Sequence, residues 1–111
     1  MTFEEVREIA LALPGVEEGT SYGTPAFRVR GKFLARLRED GETLVIRIDQ
    51  DERDVLMRAD PEVFFTTDHY RGYPSVLVRL PVVARDVLEE VLEGAWTALA
   101  PARLVKARRE G

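Results

Sequence analysis

The sequence predicts an α+β domain, an antiparallel sheet of about five strands with helices packed on one face, in the order α-β-β-β-α-β-β-α. Three observations predict it. Apolar and charged residues alternate between Ala26 and Ile48, the period of strands with one buried face. Two long segments, Phe3 to Leu13 and Arg85 to Leu99, carry apolar residues at three- and four-residue spacing, the period of helices with one buried stripe. Two short apolar runs, Val63-Phe64-Phe65-Thr66 and Val76-Leu77-Val78, bracket a polar loop and read as buried strands.

The first helix opens at Thr2, with Glu5 three residues on to complete a capping box. Phe3, Val6, Ile9, Ala10 and Leu13 form its apolar stripe, and Pro14-Gly15 ends it. Extended segments follow: one within Val16 to Tyr22, then Ala26 to Arg30 and Phe33 to Arg38, with Gly31 at the turn between the last two. Phe27, Val29, Ala35 and Leu37 belong to one side, and Arg28, Arg30, Arg36 and Arg38 to the other. Glu39-Asp40-Gly41-Glu42 is a hairpin turn, and Thr43 to Ile48 returns with Leu44, Ile46 and Ile48 inward and Arg47 outward.

Asp49 caps a short, largely exposed helix from Gln50 to about Ala59, with Glu52 at the capping-box position and Asp60-Pro61 as its stop. Strands at about Phe64 to Thr67 and Ser75 to Leu80 flank the polar loop. The last helix has a broad apolar face of Val87, Leu88, Val91, Leu92, Ala95, Trp96 and Leu99. After Pro101, residues 102–111 form a basic tail, predicted to make a further turn or to fray as a mobile end.

Composition limits the functions open to this chain. Its 111 residues fit one domain, 1–111, with a core of its own. Hydrophobic residues make up 45% and charged residues 32%, and no apolar run approaches the ~20 residues of a membrane-spanning helix. No secretion signal opens the chain, so a cytoplasmic protein without a membrane partner is expected. The absence of cysteine removes disulfides and thiolate chemistry, and a single histidine argues against zinc; neither a metal nor a cofactor is expected. The net charge of -4 opposes nonspecific attraction to nucleic acid. Locally the balance reverses, because Arg28, Arg30, Lys32, Arg36 and Arg38 succeed one another with no acid among them.

Two constellations stand out. The stretch Thr67 to Pro74, Thr-Asp-His-Tyr-Arg-Gly-Tyr-Pro, holds the only histidine and two of the three tyrosines. A histidine can serve as acid or base, and Asp68, Tyr70 or Tyr73 could orient His69, yet no nucleophile in a recognisable setting stands beside it. The leading reading is a structural loop in which Asp68 and His69 cap backbone groups and the tyrosines pack on the sheet edge. A binding role for Asp68, His69, Tyr70, Arg71 and Tyr73 comes second, and catalysis last. In the other constellation Arg28, Arg30, Lys32, Arg36, Arg38 and Arg47 occupy outward positions on adjacent strands or their hairpin tip, a surface able to meet phosphates. Its bland alternative is a solvated face paired with Glu39 and Glu42, and no aromatic stacking series is evident on the same face. The segment Tyr22-Gly23-Thr24-Pro25 reads as a turn, since it lacks the spacing of a phosphate-binding loop.

Leu-Pro-Gly-Val at 13–16, Gly-Thr-Pro-Ala-Phe at 23–27, Gly-Lys-Phe at 31–33, the 67–74 stretch and the late Trp96 with Leu99-Ala100-Pro101 together resemble the MmcQ/YjbR-like family over nearly the whole chain. The resemblance implies a fold like that of secretion chaperones and frataxin-like domains. It also implies a DNA-binding label that rests on a double-wing likeness, and it brings no catalytic residues. The expected function is therefore a non-catalytic binding module with weak DNA binding through the arginine face. The alternatives are a protein-interaction adaptor and, last, a small-molecule enzyme using the His69 loop.

Overall fold

The computed structural model describes residues 1–111. Helix α1 (Phe3–Leu11) starts on a complete capping box: Glu5 N donates to Thr2 Oγ1 and Thr2 N donates to the Glu5 carboxylate. Four strands follow, β1 (Val16–Ser21), β2 (Thr24–Val29), β3 (Lys32–Leu37) and β4 (Thr43–Arg47). Helix α2 (Gln50–Ala59), strands β5 (Phe64–Phe65) and β6 (Ser75–Arg79), and helices α3 (Arg85–Leu99) and α4 (Ala102–Glu110) complete the chain.

The sheet is antiparallel and six-stranded, in the order β1-β2-β3-β4-β6-β5. The expected order counted three strands before α2; the extended segment expected within Val16 to Tyr22 makes a fourth, pairing with β2 along its whole length from Val16 opposite Val29 to Ser21 opposite Thr24. The last strand of the expected meander thus becomes β4, and β5 shrinks to two residues.

The alternation foreseen in the sequence builds the core. Phe27, Ile46, Val76 and Val78 are fully buried on one face, and α1 and α3 pack against that face with Val6, Ile9, Leu88, Leu92 and Trp96. Leu37 packs half-buried against the same cluster. Burial on this scale, at roughly 25 cal/mol per Å² of apolar surface, is the main force holding the helices down. Trp96 adds direction, since its indole N–H donates to the Pro14 carbonyl at 2.7 Å and ties α3 to the end of α1.

One local expectation is corrected and one is resolved between its alternatives. Asp49 does precede α2, yet its side chain accepts no capping hydrogen bond and no capping box forms with Glu52. The helix is instead anchored by Arg53, 7% exposed, whose guanidinium donates to the Arg71 carbonyl at 3.0 Å. The basic tail is the nine-residue helix α4: Leu104 and Val105 pack against the core, and Arg108 pairs with Glu93 at 3.0 Å. Two apolar residues at adjacent positions gave too narrow a stripe to read as a buried face in the sequence.

Candidate functional site

The second face of the sheet is defined by its register. Arg28 lies opposite Phe33, Arg36 opposite Val45, and Arg47 opposite Ser75, so these six side chains share one side. Phe33 is there because of a β-bulge. Pairing shifts from Phe27 with Ala35 to Arg28 with Phe33, leaving one extra residue in β3. Without the bulge Phe33 and Arg36, three apart, would face opposite sides.

This face is not the open, solvated surface that the alternation suggests. The segment 66–74 turns back over it through hydrogen bonds from the backbone N–H groups of Tyr70 and Arg71 to the Thr67 carbonyl, and from Tyr73 N to the Tyr70 carbonyl. The result is a cleft of about 710 Å³, floored by Arg28, Phe33, Arg36, Val45, Arg47 and Ser75 and walled by Tyr22, Glu39, His69, Tyr70 and Tyr73. The arginine strands and the histidine loop, separate in the sequence, converge on one concavity.

Arg36 is its pivot. It is 8% exposed, and its guanidinium donates to Tyr70 Oη at 2.9 Å, Thr24 Oγ1 at 3.2 Å and Glu39 Oε1 at 3.3 Å. Burial opposes its charge, and the bonds to Tyr70 and Glu39 outweigh that, so its pKa lies above the ordinary arginine value. The Glu39 carboxyl is held below its usual range by a backbone hydrogen bond first and by Arg36 second. The Tyr22 ring lies over the same guanidinium, 5.3 Å from ring centroid to Cζ.

The other expected residues divide. Arg28 is half-exposed and donates to the Thr20 carbonyl at 3.3 Å; Arg47 is exposed and makes no ion pair. Arg38 has its guanidinium 5.7 Å from the Tyr70 ring centroid and does not line the cleft. Arg30 and Lys32 lie at the β2–β3 turn outside it, where Arg30 leans toward Gly15. Five arginines do not share one flat patch: Arg28, Arg36 and Arg47 line the cleft, while Arg30 lies in the β2–β3 turn and Arg38 just past the end of β3.

In the loop, His69 meets Tyr70 edge-on at 4.9 Å and Tyr73 at 6.0 Å between ring centroids. Asp68 is no partner for it: the carboxylate is 97% exposed and pairs with Arg71 at 3.4 Å. The histidine therefore lacks the carboxylate that would orient it as a general base. Arg71 itself does not line the cleft, and its carbonyl takes the Arg53 hydrogen bond that fixes the loop to α2. No group of three or more His, Asp or Glu side chains converges to hold a metal ion.

Sequence reasoning missed the aromatic character of this face. Tyr22, Phe33, Tyr70 and Tyr73 all line the cleft, although Tyr22 read as a turn residue and Phe33 only as the start of a strand. It also missed Ser75, 5% exposed, whose hydroxyl has no hydrogen-bond partner within the protein.

Comparison with known proteins agrees with this architecture. The YjbR family model matches residues 11–98. Uncharacterized protein Mb2600 of Mycobacterium bovis and uncharacterized protein Rv2570 of Mycobacterium tuberculosis are each 41% identical to the chain over 68 residues, covering 60% of it and 53% of the relative. The chain thus spans about half the length of these curated relatives. The crystal structure of Deinococcus radiodurans protein DR2400 superposes with a TM-score of 0.73 at 23% identity, covering 87% of this chain and 77% of that one, a likeness of fold. No helix is long and apolar enough to cross a membrane.

Proposed function

The chain belongs to the YjbR family, and from that premise and its cleft we propose that it is a non-catalytic binding module whose ligand is nucleic acid. The observation that carries the reading is the convergence of arginines and tyrosines on one concavity. Guanidinium groups recognise phosphate oxygens, and tyrosine rings recognise base faces. A chain of net charge -4 is repelled by a polyanion at long range, so affinity must come from a local basic site. Arg28 and Arg47 supply it, because they retain free donors while Arg36 is already engaged.

The test is binding of a fluorescent DNA at low salt. Arg28→Glu with Arg47→Glu should abolish most of the affinity, and each neutralised contact should lower the salt slope by roughly one. Arg58→Glu, exposed on α2, should change little. DNA that binds the double variant as well as the native chain removes the reading.

One observation favours a second reading, protein interaction. A groove of about 450 Å³ between α2 and α3 exposes Val55 (55%) above Ile48 and Val91, with Asp51, Glu52 and Glu90 on its rim. An apolar seam with an acidic border suits an amphipathic helix with basic flanks. Val55→Asp should abolish capture of such a helical peptide and leave DNA binding intact.

A further inference from the structure

We infer that the cleft takes an unpaired nucleotide, its base against Tyr22 and its phosphate on Arg28 and Arg47, so that the preferred nucleic acid is single-stranded. The inference rests on the nucleic-acid reading above and deepens it.

Tyr22 carries the argument. It is the first central residue of the two-residue turn joining β1 to β2, with φ +54° at Tyr22 and +79° at Gly23. That conformation suits Asn, Asp or Gly and penalises a bulky side chain. Burial does not offset that cost here, because the ring is 85% exposed. Its one intramolecular contact of note is with the Arg36 guanidinium beneath it, which holds the ring at the cleft mouth. The strain is thus kept for a ring that does nothing for the core, and the ring face is presented toward the cleft rim.

Three features specify what that face meets. Tyr73, 57% exposed, stands on the opposite loop and lines the same cleft, giving two aromatic surfaces around one space. The Ser75 hydroxyl, buried and without a protein partner, lines the floor and can bond a polar base edge. The volume, about 710 Å³, is in the range of sites that enclose a ligand of nucleotide size. A duplex keeps its base faces stacked on one another and offers only groove edges, so it has no free base face to lay against either tyrosine. A base already unpaired offers that face.

The unpaired nucleotide can come from a strand or be free, and the experiment separates these. Anisotropy at low salt would compare a fluorescent fifteen-residue oligothymidylate, a duplex of equal length and unlabelled thymidine monophosphate as competitor, on the full chain and on Tyr22→Asn. The oligothymidylate should bind about tenfold or more tightly than the duplex. Tyr22→Asn should weaken it by about tenfold, the order expected for one stacked base, while the midpoint of thermal unfolding stays equal or rises, because Asn fits the turn better. Displacement at micromolar monophosphate keeps the nucleotide assignment with a free nucleotide as its source; failure to displace assigns the strand. Equal binding of strand and duplex, both lost in the Arg28→Glu, Arg47→Glu variant, overturns this inference and leaves the nucleic-acid reading standing. An unchanged affinity in Tyr22→Asn also overturns it, and absence of all binding overturns both.

Discussion

The Arg36 guanidinium, on the third strand, donates a hydrogen bond of 2.9 Å to the hydroxyl of Tyr70, 34 residues later in the chain. This bond fastens the 66–74 loop to the sheet and creates the cleft. It joins a buried charge to a neutral acceptor, the kind of contact whose loss leaves a cation short of a partner.

Tyr70→Phe is therefore expected to destabilise the fold by about 1–2 kcal/mol, short of the full cost of an orphaned charge because Thr24 and Glu39 remain on the same guanidinium. Urea denaturation monitored by circular dichroism measures it. A loss below a few tenths would show that the bond contributes nothing net.

Arg53→Met should leave the sheet intact and loosen the loop, since it removes the hydrogen bond from α2 to the Arg71 carbonyl. Hydrogen exchange reports this directly. The amides of Tyr70, Arg71 and Tyr73, all hydrogen-bonded within the loop, should exchange faster, while those of Leu44 and Ile46 keep their protection.

Trp96→Phe keeps most of the buried area and deletes the donor to Pro14. The Pro14 carbonyl then loses its indole partner, and a cost of about 1–3 kcal/mol follows from the missing bond and the smaller ring. Thermal unfolding checks it against Leu99→Ala at the less buried end of the same helix.

The acid limb of stability should depend on the β3–β4 turn. The Asp40 carboxylate accepts from Glu42 N at 2.9 Å, from Thr43 N at 3.0 Å and from the Thr43 hydroxyl at 2.8 Å, and its pKa lies below the ordinary value, chiefly through the Glu42 bond. A carboxyl depressed in the folded state stabilises it above the unfolded pKa. That contribution fades as pH falls through the folded value, from about pH 5 downward. Asp40→Asn should be less stable than the native chain at pH 7 and approach it near pH 2. A difference constant across that range would show that the charge is irrelevant.

The α+β class, the core and the helix stripes were legible because burial imposes periods that the sequence must obey. Phe27 and Ile46 could face only inward once their neighbours were charged, and the Thr2 and Glu5 capping box is a local event complete within four residues. The polar residues of the site were legible as candidates for the same reason: His69, Tyr70, Arg28 and Arg47 do not belong in a core. Their assembly was not. The extra residue in β3 that turns Phe33 to the cleft is invisible to alternation, since parity counting assumes an unbroken ladder. The burial of Arg36 depends on a loop that returns 34 residues later, and the anchoring of that loop depends on Arg53 of a helix that read as exposed. Sequence periodicity reports which face of an element is apolar; only the tertiary structure decides which distant element covers the other face, because that choice is made by contacts between residues far apart in the chain.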